Sequence, residues 1–217
     1  KTDNPGTSDN NTIALRTFGG PFNIDWGDGV VDMDVVGATQ HTYSNPGIYT
    51  VSISGILFSM RLQTFDGNDV GGDAPKLIEI NQWGDISWNS MESAFKGCTN
   101  LDVVAGDTPD LSNLNSLFYM FEGCSSLTDN PSFNNWDIST IENLSQAFTN
   151  CTAFNADISD WDVGNVTTMG NLFSNCSEFN QDISGWNVSN VINMGSMFSH
   201  ATKFNQPIGS WDVSNVT

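Results

Sequence analysis

Cationic side chains are scarce in this chain of 217 residues: 6 Lys and Arg stand against 25 Asp and Glu, a formal charge of −19. That shortage argues against nucleic acid, whose phosphates need basic contacts, and against an anionic membrane surface. It favours solubility, cations or basic partners. Long apolar runs are missing too. None approaches the roughly 18–20 residues of a membrane helix, so no membrane insertion is expected. Histidine occurs only twice. No Cys-x-x-Cys, His-Glu-x-x-His, Gly-x-Ser-x-Gly or phosphate-loop word occurs, and the chain reads as a non-enzyme. Charge is too sparse for disorder, at 14% of residues, and 7 Trp with 14 Phe need burial. No secretory signal is visible. Residues 1–11 (KTDNPGTSDNN) are polar and read as a linker, so either a leader was removed or the chain is a fragment.

What is abundant is repetition. Trp136, Trp161, Trp186 and Trp211 stand 25 residues apart, inside the words NNWDIST, SDWDVGN, SGWNVSN and GSWDVSN. A second word lies half a period away, anchored by Met91/Phe95/Cys98, Leu117/Phe121/Cys124, Leu144/Phe148/Cys151, Met169/Phe173/Cys176 and Met194/Phe198/Ala201. The spacing i, i+4, i+7 is one face of a short helix. Three residues on comes a further large apolar residue, Leu101, Leu127, Phe154, Phe179 or Phe204, and then a stretch suited to a strand. One helix and one strand per unit of about 25 residues predicts an α/β leucine-rich-repeat-like solenoid over residues 76–217, with its C-terminal end cut within the array.

The four cysteines share one slot with Ala201, which asks for a small apolar group and suits free thiols. Parallel neighbours about 4.8 Å apart would hold the Cβ atoms outside disulfide range. The even count keeps disulfides open.

Residues 12–58 show no such period. Thr12–Arg16 and Phe22–Trp26 alternate apolar and polar, Gly27-Asp28-Gly29 makes a turn, and residues 48–53 alternate again. This predicts a small antiparallel β module. Residues 59–75 read as a second linker. The module is expected to pack on the first repeat and close that end.

Two resemblances follow from these words. Trp26-Gly27-Asp28-Gly29, then His41-x-Tyr43, then Pro46-Gly47-x-Tyr49-Thr50-Val51 resemble the PKD domain, a β-sandwich of surface and secreted proteins. The resemblance implies a small β-sandwich-like module in which His41 serves structurally against the Trp-Gly-Asp-Gly turn. Residues 179–201 (FNQDISGWNVSNVINMGSMFSHA) resemble the unit of the BspA-like, DUF285-type leucine-rich-repeat surface proteins of bacteria. Together they imply a bacterial cell-surface or secreted module for adhesion or recognition, with a protein or glycan on another cell or matrix as partner.

Candidate ligand-binding residues are the recurrent polar ones: Asp157 and Asp182 in one slot, and Asp162, Asn187 and Asp212 after the tryptophans. Turn hydrogen bonding accounts for such residues. So does a ladder of carboxylates and amides that binds a polymer or cations. Carbohydrate binding is the alternative function and needs exposed indoles among the four periodic Trp. A hydrolase ranks below both. For calcium, which is not required but is a candidate ion, the hard oxygens of Asp66, Asp69 and Asp73 in the second linker, and of the stacked Asp157 and Asp182, are the first candidates.

Overall fold

In the computed structural model, which describes residues 1–62 and 72–217, strand β1 (Thr12–Asp25) organises the N-terminal part. Its alternation turns Ile13, Leu15, Phe22 and Ile24 into the core. Three strands pair with it, all antiparallel. β3 (Thr39–Thr42) meets residues 12–15, β4 (Ser52–Arg61) meets residues 16–25, and β2 (Val31–Val35) meets residues 22–25. The result is a small four-stranded arrangement around one long strand, where a β-sandwich-like module was expected. Trp26 and Tyr43 plug its end. The Tyr43 hydroxyl donates to the Trp26 carbonyl at 3.0 Å, and His41 stacks on the Trp26 ring at 4.9 Å while reaching Asp28 at 2.9 Å.

The α/β solenoid expected for the repeats is overturned. Among the described residues there is no α-helix. Regular structure beyond β4 is limited to the two-residue parallel pair β5 (Glu79–Ile80) and β6 (Asp102–Val103) and the 3-10 turns Ala74–Lys76, Pro131–Asn135 and Ile208–Ser210. The Met-x-x-x-Phe words, predicted as helices, are chains of tight turns. Two slots in each have left-handed backbone. Ser93, Tyr119, Gln146, Asn171 and Ser196 fill one, and Gly97, Gly123, Asn150, Asn175 and His200 fill the other, with φ between +56° and +78°. A right-handed helix cannot contain such residues.

The same geometry says where the backbone hydrogen bonds go. Every second N–H closes a turn within its own unit, as Ala94 to Met91 and Cys98 to Phe95 do. The N–H groups between them leave the unit. Met169, Asn171, Phe173 and Asn175 donate to the carbonyls of Asn193, Gly195, Met197 and Ser199, at 2.7–2.9 Å. The same set links Leu144, Gln146, Phe148 and Asn150 to Thr168, Gly170, Leu172 and Ser174. Units therefore lie side by side, joined also by parallel one-residue bridges running Ser116–Asn143–Thr168–Asn193.

Between them the side chains form buried columns. Phe95, Phe121, Phe148, Phe173 and Phe198 stack at 5.4–6.0 Å between ring centres. Phe154, Phe179 and Phe204 stack at 5.8–6.0 Å. The four periodic Trp stack at 6.4 Å, with ring planes within 3° for the last three. From Trp161 on, each indole Nε1 also donates to a backbone carbonyl of the preceding unit: Trp161 to Phe133, Trp186 to Ile158 and Trp211 to Ile183. The cysteines do likewise. Cys124, Cys151 and Cys176 donate Sγ–H to the carbonyls of Phe95, Phe121 and Phe148 at 2.9–3.1 Å, and all four cysteines are free and buried.

A substitution at the left-handed slot isolates the backbone term. At Gly123 a Cβ would meet only the backbone of Gly97, at 3.6 Å, which is ordinary contact. Gly123→Ala should therefore destabilise the protein by about 1–2 kcal/mol, from the left-handed conformation alone. Gly123→Asn should cost less, since Asn tolerates that region and fills the same slot at Asn150 and Asn175. Urea unfolding of both variants checks the order, and equal losses would count against a conformational cause.

The N-terminal part is bolted to this stack. The Phe58 carbonyl on β4 accepts from Asn89 at 2.9 Å and Ser90 at 3.1 Å. In the stack proper, Thr167 plays that part for Ile192 and Asn193. Residues 1–11, read from sequence as a linker, are held against residues 72–76: Thr7 N–H donates to Gly72, and Asn4 donates to Pro75. At the centre of this contact Lys76 and Asp73 are both buried, with Nζ 3.3 Å from Oδ1.

Candidate functional site

The recurrent polar residues occupy the outside of the stack, and each does a definable local task. Asp157, Asp162, Asp182, Asn187 and Asp212 are all exposed. In each, Oδ1 accepts the backbone N–H two residues on, from Ser159, Gly164, Ser184, Ser189 and Ser214, at 3.0–3.3 Å. These are Asx turns, which let the chain reverse without a regular element. Three residues after the post-Trp position an Asn reaches back one unit. Asn165 donates to the Ser139 carbonyl, Asn190 to Gly164 and Asn215 to Ser189, at 2.7–2.8 Å. The word Trp-Asp-Val-Ser-Asn-Val thus reads as stacked ring, turn, inward Val, turn, clamp, inward Val, with Val163, Val166, Val188 and Val191 buried.

Sequence reasoning passed over two further, partly exposed columns of the same period. Asn155 Oδ1 accepts from Asn180 N–H and Asn180 Oδ1 from Asn205 N–H, both at 2.9 Å. Gln181 and Gln206 donate to the carbonyls of Asn155 and Asn180. Thr152, Ser177 and Thr202 each donate their hydroxyl to the residue one unit before, at 3.1–3.4 Å. Their signal was present, since they too recur at 25 residues, but as small polar residues they resemble loop filler.

The carboxylates share one electrostatic trend. Hydrogen bonds from the Ser112 and Ser87 hydroxyls hold Asp110 below its ordinary range. The hydroxyl and N–H of Ser139, Ser184 and Ser214 do the same for Asp137, Asp182 and Asp212. At Asp107 partial burial pushes upward, but the N–H groups of Trp83 and Gly84 outweigh it and the net direction is down. At Asp28 the His41 hydrogen bond leads the lowering. A carboxylate whose folded pKa is lowered contributes stability that is complete above the unfolded value and lost as pH falls. The urea midpoint should therefore be steady near neutrality and decline as pH drops below about 4, the unfolded carboxylate range. Relief of self-repulsion from the −19 charge acts in the opposite sense. A midpoint that rises between pH 5 and 3 would show repulsion winning.

Burial pushes the thiols upward, Cys176 to about 12, and the others also rise. Burial thus favours the neutral thiol over the thiolate throughout this column. His200 is an exposed left-handed turn residue beside Ser199, at 3.0 Å. Among the described residues no group of three or more His, Cys, Asp and Glu lies close enough to hold a metal ion. Asp157 and Asp182 sit in separate Asx turns. Asp73 faces Lys76 and accepts from Ser8 N–H, Ser8 Oγ and Ala14 N–H at 2.5–3.1 Å. Asp66 and Asp69 lie outside the described residues. Of the four periodic indoles, Trp136, Trp161 and Trp186 are buried and Trp211 is half-buried.

A family model described as a Mycoplasma protein of unknown function, DUF285, matches residues 72–131 and 115–217. No curated protein and no solved structure matches the chain.

Proposed function

We propose that this chain, which belongs to the DUF285 family, is a non-enzymatic recognition module that binds protein partners along the exposed polar columns of its stacked units. One observation carries the reading: exposed Asp, Asn and Thr, with half-buried Gln and Ser beside them, repeat in register on successive units while nearly all the large apolar groups of the repeat words are turned inward. Such a surface presents one chemical pattern several times along a line, which suits an extended partner engaged at several points. The −19 charge selects a basic partner and speeds its approach at low salt. A place on a bacterial cell surface or in a secreted assembly, and a role in adhesion, belong to this proposal. So does the finer likeness of the repeats to BspA-like surface proteins. The PKD-like reading of residues 12–55 is also carried here as a proposal, supported by the His41–Asp28 and Tyr43–Trp26 contacts.

The test is capture of cell-surface and matrix proteins by the folded chain at two ionic strengths. Basic proteins should be retained, and binding should weaken as salt rises. Asp157→Asn with Asp162→Asn should reduce retention while leaving the melting temperature nearly unchanged, because Asn keeps the Asx turn, as Asn187 does. Failure of the folded chain to retain any protein would sink the proposal.

A further inference from the structure

The repeat pattern is broken at one place inside the stack. The slot after each Met or Leu anchor holds Glu92, Phe118, Ser145, Gly170 and Gly195, and the next slot holds Ser93, Tyr119, Gln146, Asn171 and Ser196. The second unit alone puts aromatic rings at these outward slots. Phe118 and Tyr119 are half-buried, with ring centres 3.9 Å apart. Tyr119 stands on left-handed backbone at φ 60°, which bulky residues seldom adopt. Beside the rings is a polar hollow of about 230 Å³ lined by Asn89, Ser90, Glu92, Leu114, Asn115 and Ser116. Ser116 Oγ donates to Glu92 Oε1 at 2.6 Å and accepts from Phe118 N–H at 3.3 Å, which ties the carboxylate and the ring pair together. Both flanks of the hollow are in place. Asn89 and Ser90 donate N–H to the Phe58 carbonyl on β4, where the Phe58 side chain is 44% exposed. On the other side the Asn115 carbonyl accepts from Glu142 and Asn143 of the third unit.

We propose that this hollow binds an arginine side chain of a polypeptide partner. The proposal takes from the preceding reading only that the partner is a basic polypeptide. Asn89 and Asn115 are exposed, and among the described residues their side-chain amides bond to nothing in the chain, whereas Asn165, Asn190 and Asn215 are used as clamps. Their carbonyl oxygens, the Glu92 carboxylate and Ser90 Oγ give one small volume several acceptors and a single negative charge. A guanidinium offers five N–H donors in a plane, pairs with a carboxylate and stacks on an aromatic face. A cation over a ring is already part of this surface, since Lys96 Nζ lies 4.4 Å from the centre of the Tyr119 ring and 3.1 Å from Glu122. An ammonium has three donors and no plane to lay on Phe118. A phosphate or a second copy of this chain brings negative charge to Glu92 and to a protein of −19, and is repelled.

The experiment titrates the full isotope-labelled chain with the capped peptide acetyl-Gly-Arg-Gly-amide, followed by NMR. A parallel titration uses the same peptide with citrulline, which keeps the shape of arginine but not its charge. The side-chain amide signals of Asn89 and Asn115 and the N–H of Phe118 should shift with the arginine peptide, and the citrulline peptide should bind about tenfold more weakly. Glu92→Gln, which keeps the bond from Ser116, should weaken arginine binding about tenfold at unchanged melting temperature. Phe118→Ser, which installs the residue type of the next unit, should weaken it about threefold. Equal affinity for the two peptides overturns the proposal, as does unaltered binding by Glu92→Gln or the absence of any shift. Shifts confined to Asp157, Asp162 and their neighbours overturn it too, and leave the polar columns standing. Shifts at the hollow in a chain that captures no protein sink the columns and leave this site standing.

Discussion

Phe173→Ala should lower the free energy of unfolding by about 3–5 kcal/mol, the range for removing a buried phenyl ring and leaving its cavity. The ring is fully buried and contacts its column on both sides, Phe148 at 6.0 Å and Phe198 at 5.9 Å, with Phe179 stacked beside it at 4.0 Å. Each aromatic pair adds roughly 0.5–1.5 kcal/mol beyond its area. The cavity cannot close easily, because the neighbouring backbone is fixed by hydrogen bonds on both sides: Phe173 N–H donates to Met197 and Phe148 N–H to Leu172. Phe198→Ala, on the half-buried end of the same column, should cost clearly less. Denaturant melts of the two variants provide the comparison. Equal losses would show that stacking on both sides contributes nothing.

Lys76→Met should be comparably damaging, at about 3–5 kcal/mol, for a different reason. Lys76 is 1% exposed, and its ammonium donates to the carbonyls of Ser8, Asp9 and Thr12 and to Ser8 Oγ at 2.6–3.1 Å. Without it Asp73 is left as a buried carboxylate lacking its counter-charge. Burial raises the Asp73 pKa, but hydrogen bonds from Ser8 and Ala14 and the Lys76 charge outweigh this and hold it below the ordinary range. The double variant Lys76→Met with Asp73→Asn should lose less than the sum of the two single losses, because it no longer strands a charge. Additive losses in urea melts would mean the pair is not coupled. The site is also crowded. A Cβ on Gly6 would meet Asp73 Oδ1 at 2.5 Å, so residues 1–11 hold a defined course over the pair.

Period and inward slots were legible because burial imposes them on every unit alike. Trp, Phe, Cys and Val recur at 25 residues because each must meet its own kind next door, and the columns follow directly. The local conformation of the Met-x-x-x-Phe word was not legible from its apolar residues. Inward positions at i, i+4 and i+7 serve a helix and a chain of tight turns equally well. The discriminating signal lay in the polar slots. Gly97, Gly123, Asn150, Asn175 and His200 all precede the Cys or Ala, and Gly, Asn and His are residues that accept left-handed backbone. Read together, they mark a position in every unit where left-handed backbone is tolerated. The Asp73–Lys76 pair was illegible for another reason. A lone Lys and a lone Asp in a polar stretch look solvated, and only long-range contacts with Ser8, Asp9, Thr12 and Ala14 bury them. The post-Trp Asp and Asn were legible as turn formers, yet whether they also meet a partner depends on a second molecule.

The alternation of inward-closing and unit-to-unit N–H groups has a mechanical consequence. The inter-unit bonds run along the stacking direction, four from each of the later units to the next. Tension applied between the N-terminal part and Thr217 therefore loads the units in series, like the links of a chain. The first units have additional bracing, from the Phe58 carbonyl and from the buried Asp73–Lys76 pair. Under extension the later units, joined only to one another, should therefore be released one after another before the N-terminal part gives way.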